Sequence, residues 1–413
     1  MKNLHCIQFS RLNCRSLRAA ISFMAALFWL CLPASSVLQA QEAGIAANES
    51  QNSSAGGAGN VIVNTKFGGQ IFGFDIDQNG TEGMLAESQD IGGGKILAAV
   101  ETFDQKTGAI LSVVQTLRSK DDFLGLGVAG GGVGLIEREH VQNIFVTART
   151  YQVLKPLGAN KFTGTWTPPL TKDDIITGVS RDQQTPNVAV LGFRNSGNDP
   201  TFLFSSNVGA NTFGPRFTLT DPIFTFTNFP NVAYDTKTKR AVIAVSIGAV
   251  GGPPPVIATV DLVTGAITKF NGLPGPFPFR QGFINGLAVD SADGIACTTT
   301  EVDFRVEFYD LQKKTGIARV LPGATGQLQS GTDVEFDPIH KLFFIAQPVS
   351  STGVGSSIQV YDTKGNFVKS LNGFNFSNTF NVIPVHIALN PGQRSGYVDG
   401  PSVGVSQIQS FTY

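Results

Sequence analysis

Four residues stand where chemistry could happen: Asp75, Asp333, Glu335 and His386. They belong to a recurring phrase, x-apolar-Ala-apolar-Asp, whose central position holds Ala129, Ala233, Ala288 and Ala388, with Ser180 in one copy. Two copies depart from this and place a carboxylate at the centre, Asp75 and Glu335. A carboxylate at a crowded inner position is costly unless it is paired, hydrated or bound to a cation. Asp333 and His386 open the copies centred on Glu335 and Ala388. Three chemistries suit the group. Asp75, Asp333 and Glu335 could hold a calcium or magnesium ion, all four could line a pocket for a polyhydroxylated ligand, or Glu335 and His386 could act as a general acid–base pair. The alternative is a set of polar groups that line a channel and are hydrated by ordered water.

Other candidates are more local. Asp75-Ile-Asp77-Gln-Asn79-Gly80 spells the first half of a calcium loop, but Ala86 occupies the twelfth position, where such a loop needs Glu. The alternative is an Asn-Gly turn. Three stretches rich in Phe, beginning at Phe224, Phe277 and Phe374, come before copies of the phrase. With Arg280, Gln281 and Asn285, their rings could form a stacking surface for a sugar or peptide, or they could fill gaps in the scaffold. His140 in a charged run and His340 in a turn read as solvated. The chain has no His-Glu-x-x-His and no Cys-x-x-Cys.

The elements that must position these residues are short strands. From Asn60 onward, apolar or alternating runs are bounded by Gly, Pro, Asn and Asp, and no helical period persists. The composition agrees, with 47 Gly, 21 Pro and 32 Phe against 3 Met. The stretch Asn231 to Phe270 is the template: four β-type runs, with Asp261 and Thr264-Gly265 forming the last hairpin turn. Its opening phrase recurs from residues 73, 127, 178, 231, 286, 333 and 386, at steps of 54, 51, 53, 55, 47 and 53. A period near 50 with four strands per unit is that of a propeller blade. The last unit offers only three strands before Tyr413, while Asn60 to Thr65 is a spare strand at the other end. The spacing predicts an all-β, seven-bladed β-propeller over residues 60–413, whose last blade is closed by the N-terminal strand. Units six and one then flank unit seven, which draws Asp75, Asp333, Glu335 and His386 towards one sector of the channel mouth.

The Asp…Thr-Gly hairpins (Asp104 with Thr107-Gly108, Asp261 with Thr264-Gly265) and the repeated phrase resemble the YVTN/NHL and lactonase-like β-propellers. That resemblance covers roughly residues 60–413 and implies a scaffold used by sugar lactonases and by extracellular binding proteins.

The N-terminus reads as a secretory signal over residues 1–40: Lys2, Arg11, Arg15 and Arg18 precede an apolar run from Ala19 to Leu32. Cleavage is expected after Ala40 or Ser36, followed by a flexible leader over residues 41–59. The apolar run is shorter than the ~20 residues that span a bilayer. Cys6, Cys14 and Cys31 would leave with the signal, and Cys297 would remain as a buried small residue. Taking the signal's four cations from 30 leaves 26 basic against 31 acidic side chains, a net charge of −5. A mildly acidic body without a basic stripe argues against nucleic acid. The reading is a secreted or periplasmic monomer with a small-molecule, glycan or protein ligand, no membrane attachment once the signal is removed, and no firmly implied cofactor. A lactonase-like hydrolase is the alternative.

Overall fold

A computed structural model describes residues 57–119, 122–142, 145–171, 173–182, 185–194, 201–225, 230–246, 254–273, 284–300, 305–320, 333–347, 356–374, 386–402 and 405–413. It is a seven-bladed β-propeller. Blades 1 to 6 occupy residues 70–119, 122–166, 174–219, 231–271, 284–320 and 333–371, and blade 7 occupies residues 387–412. Six blades run outward through consecutive antiparallel strands. In blade 3 the outermost place is shared by two short strands, Thr212–Phe213 and Phe217–Leu219. The first strand of each blade contacts that of the next, and blade 7 returns to blade 1, so the first strands form the innermost ring.

Closure follows the sequence reading. Blade 7 supplies Ile387–Asn390, Ser395–Ser402 and Val405–Thr412, and Gly57–Asn64 pairs antiparallel with the last of these. The closing strand starts at Gly57, three residues ahead of the expected Asn60. Its register sets Val63 opposite Ile408, and Val63 is fully buried.

The core is divided among the blades. Seven apolar clusters each join two neighbouring blades; Met84 and Val100 meet Ile136 and Leu154 between blades 1 and 2, for example. Middle strands are therefore covered on both faces, which is why Ala241 to Val245 and Ile295 to Thr300 are buried without alternation. The carboxylates at strand ends shape the turns. Asp261 Oδ1 accepts from Val263 and Thr264 N–H, and Asp235 Oδ1 does the same for Lys237 and Thr238.

Neighbouring blades also trade side-chain volume. Gly286 in blade 5 stands where Asn231 and Asp333 stand in blades 4 and 6. Its cross-strand partner is Thr299, while those of the other two are Ala244 and Ala346. A Cβ on Gly286 would lie 2.8 Å from both Thr299 Oγ1 and the Val334 nitrogen, so blade 6 approaches too closely for any side chain there.

Candidate functional site

Asp75 and Glu335 meet, and they meet on a residue that the repeat pattern does not single out at its centre. Arg181 on the innermost strand of blade 3 reaches across the ring. One guanidinium nitrogen lies 3.1 Å from Asp75 Oδ1 and 3.7 Å from Glu335 Oε1. The other donates to the Ile76 carbonyl at 3.2 Å. Ile76 N–H in turn donates to Asp75 Oδ1 at 2.8 Å. Blades 1, 3 and 6 are thus tied through one cation, in a space where the Arg181 and Asp75 side chains keep 10% and 13% of their surface.

Glu335 keeps 24% of its side-chain surface. Burial pushes its carboxyl up to about 8; Arg181 opposes the rise, and the charges of Asp75 and Asp333 add to it. Near neutral pH the group is therefore chiefly a neutral acid able to donate, held beside an ion pair.

Asp333 sits two residues nearer the start of the strand. Its Oδ1 accepts from Val334 N–H at 2.9 Å and its Oδ2 from Ile387 N–H of blade 7 at 3.2 Å. Asn231 does the equivalent work elsewhere around the ring, accepting from Val232 N–H and donating to the Asn285 carbonyl of blade 5, both at 2.9 Å. Both side chains lace adjoining inner strands.

His386 turns elsewhere. Its Nδ1 lies 2.7 Å from Asp399 Oδ2, and the Asp399 carboxylate, 3% exposed, also accepts from the His386 N–H. The expected single sector therefore splits. Asp75 and Glu335 converge on one nitrogen of Arg181, Asp333 adds its charge to that of Asp75, and His386 pairs with Asp399. The physical reason is register: Asn390 pairs with Ser395, and counting back along that hairpin sets His386 opposite Asp399.

The residues of the calcium-loop spelling point different ways. Asp75 points to Arg181, whereas Asp77 Oδ1 accepts from Asn79 N–H at 3.1 Å and caps the hairpin turn. Among the described residues, no three His, Cys, Asp or Glu side chains are grouped to hold a metal ion. The loop candidates Phe277, Arg280 and Gln281 lie outside the described residues, as do the side chain of His140 and residues 1–56, which include the expected signal. Phe224 is fully buried between blades 3 and 4, and Phe374 packs between blades 6 and 7, so these two rings serve the scaffold.

Two further residues can be set against the sequence expectation. His340 is tied, not solvated: its Nδ1 lies 2.7 Å from the fully buried Asp337, which also accepts from Tyr413 Oη at 2.6 Å. Cys297 is fully buried, as expected, and burial raises its thiol well above the usual range.

No protein-family model matches the chain, and no curated protein matches it. Among solved structures, it is similar to the β-propeller domain of Cps50 (Swd1) from Myceliophteria thermophila. The identity is 12%, 87% of this chain and 99% of that one are covered, and the TM-score is 0.54. The propeller of Dos1 aligns at 10% identity over 87% of this chain and 95% of its own, with a TM-score of 0.48. At such identities the first likeness shows the propeller fold and nothing finer.

Proposed function

We propose that this chain is an exported propeller that works as an interaction module. It would present the face on which the inner strands begin to a small molecule, a glycan or a protein. The observation that carries this reading is the Arg181 bridge. The channel carboxylates that first suggested a reactive centre are engaged with a cation of the chain's own, as a pin through blades 1, 3 and 6. A ring pinned at its centre suits recognition on a rigid face. Arg280, Gln281 and Asn285 are the residues assigned to contact the ligand. Likeness to the YVTN/NHL and lactonase-like propellers, export and the monomeric state are parts of the same proposal. The test is a glycan array together with cross-linking capture, using the mature chain and an Arg280→Ala/Gln281→Ala variant. Binding that the variant loses at unchanged melting temperature supports the module; a blank in both screens sinks it.

A second reading rests on the His386–Asp399 pair. A carboxylate that fixes Nδ1 leaves the other ring nitrogen to act as a base, the arrangement a lactonase-like hydrolase would use. Glu335 would supply the neutral acid; alternatively, with Arg181 displaced, it would ionise and join Asp75 and Asp333 on a calcium or magnesium ion. Turnover of a lactone panel that Asp399→Asn abolishes favours this reading, and no turnover with or without added metal removes it.

A further inference from the structure

Away from the channel, two buried carboxyl groups face each other in blade 1. Glu87 lies on the second strand (Glu82–Gly92) and Glu101 on the third (Lys95–Asp104), 1% and 0% exposed. The register sets Glu87 opposite Ala99 and Glu101 opposite Leu85, so the two acids are diagonal neighbours on one face. Both point at the connector that leads from the ring-closing strand (Gly57–Asn64) to the first inner strand (Gln70–Ile76). Glu87 Oε1 accepts from Phe67 N–H at 3.0 Å and Oε2 from Gly69 N–H at 2.7 Å. Glu101 Oε2 accepts from Lys66 N–H at 3.0 Å. The contact is close: a Cβ on Gly69 would lie 2.7 Å from Glu87 Oε2 and 2.8 Å from the Ser88 carbonyl oxygen.

We infer that Glu87 and Glu101 form a proton-dependent latch that clamps residues 65–69 and so holds the ring-closing strand in place. With one proton between them, the pair carries a single negative charge and accepts three N–H groups of the connector. A second charge in the same dry space is disfavoured unless the connector lifts and lets water in. The shift agrees with this geometry. Burial, the largest cause, pushes Glu101 up to about 7; the Lys66 N–H bond opposes it and the neighbouring Glu87 adds to it. The ionisable groups acting on Glu101 are Glu87 from the second strand and Lys66 from the connector. Because the folded value lies above the ordinary one, the latch is tightest below the ordinary carboxyl range. It weakens as pH rises through about 7 and then levels off. Neither the channel nor the ligand face enters this inference, so it stands or falls apart from the proposed function.

Hydrogen exchange read by mass spectrometry on the mature chain tests it. The probes are the amides of Lys66, Phe67 and Gly69, corrected for intrinsic rates, at about pH 5 and about pH 8. Protection of these amides is expected to fall by ~10-fold or more between the two conditions. The hairpin amides of Val263 and Thr264 should keep theirs. In Glu101→Gln, whose amide can still accept from Lys66 and donate to Glu87, protection should be the same at both pH values. Equal protection in the native chain, or a loss with pH that persists in Glu101→Gln, overturns the latch. Should that variant not fold, Glu101→Met removes the same ionisable group, and the Phe67 and Gly69 amides, which Glu87 holds, yield the same two readings.

Discussion

Arg181 lies 3.1 Å from Asp75 although their strands belong to blades 1 and 3, with Glu335 of blade 6 3.7 Å away on a third side. One guanidinium therefore does the work of a central bolt. Its planar fork is what allows it to serve Asp75, Glu335 and the Ile76 carbonyl at once.

Removing that cation should be expensive. Arg181→Met takes the guanidinium away from the Asp75 carboxyl, in a site with little water, and is expected to cost about 3 kcal/mol. Arg181→Lys keeps the charge but not the fork, and its stability should fall between those of the native chain and Arg181→Met. Urea unfolding measures both; a loss below about 1 kcal/mol for Arg181→Met would mean that the bridge is ornamental.

Much of this architecture is legible in the sequence, and what is not has identifiable causes. The template resolves into the strands Asn231–Asp235, Arg240–Val245, Val256–Asp261 and Ile267–Asn271, because every boundary is marked by turn chemistry. Asp75 and Glu335 stand out because the repeat supplies a standard against which a carboxylate is anomalous. Arg181 breaks the same standard one position later, where Ile76, Tyr234, Val289, Phe336 and Leu389 stand in other blades. Comparing that second column would have found it. Asp399 could also have been found, by counting back from the Asn390–Ser395 pair. What no column reveals is which residues meet across the ring, because that depends on how far a side chain reaches over the channel.

The protonation of Glu335 makes stability depend on pH in a stated direction. Its folded value, about 8, exceeds the ordinary 4.5, so the folded protein holds this proton more tightly than the unfolded chain. The contribution is complete below the ordinary value, declines as pH rises and is lost through about 8. Glu335→Gln should flatten this component of the urea midpoint between about pH 5 and pH 9. A variant whose midpoint tracks the native curve throughout would show that Glu335 ionises freely.

Cys297 allows export and burial to be checked together. The thiol is fully buried, so an aromatic disulfide reagent should leave the native protein untouched. In denaturant, a chain cut after the expected signal should release one equivalent, whereas the uncut chain, with its 4 cysteines, should release four. Rapid labelling of the native protein would contradict the burial, and four equivalents from the exported protein would contradict cleavage.

Carboxylates that end a strand at two different places in the repeat should differ sharply in cost, and Asp337, on a first strand, and Asp104, on a third, make the comparison. Both end a strand and cap the following turn: Asp104 Oδ1 accepts from Lys106 and Thr107, and Asp337 Oδ1 from Ile339 and His340. Around Asp104, water can replace the lost acceptor, so Asp104→Ala should cost about 1 kcal/mol. Asp337 is fully buried and its second oxygen also serves His340 Nδ1 and Tyr413 Oη. Asp337→Ala strands those donors in the seam between blades 6 and 7, where Tyr413 packs 4.4 Å from the Phe344 ring, and should cost about 3 kcal/mol. Urea midpoints of the two variants decide the matter. Equal losses would mean that the turn alone sets the cost; a large gap would mean that the repeat fixes where a carboxylate stands while the neighbouring blade fixes what it holds.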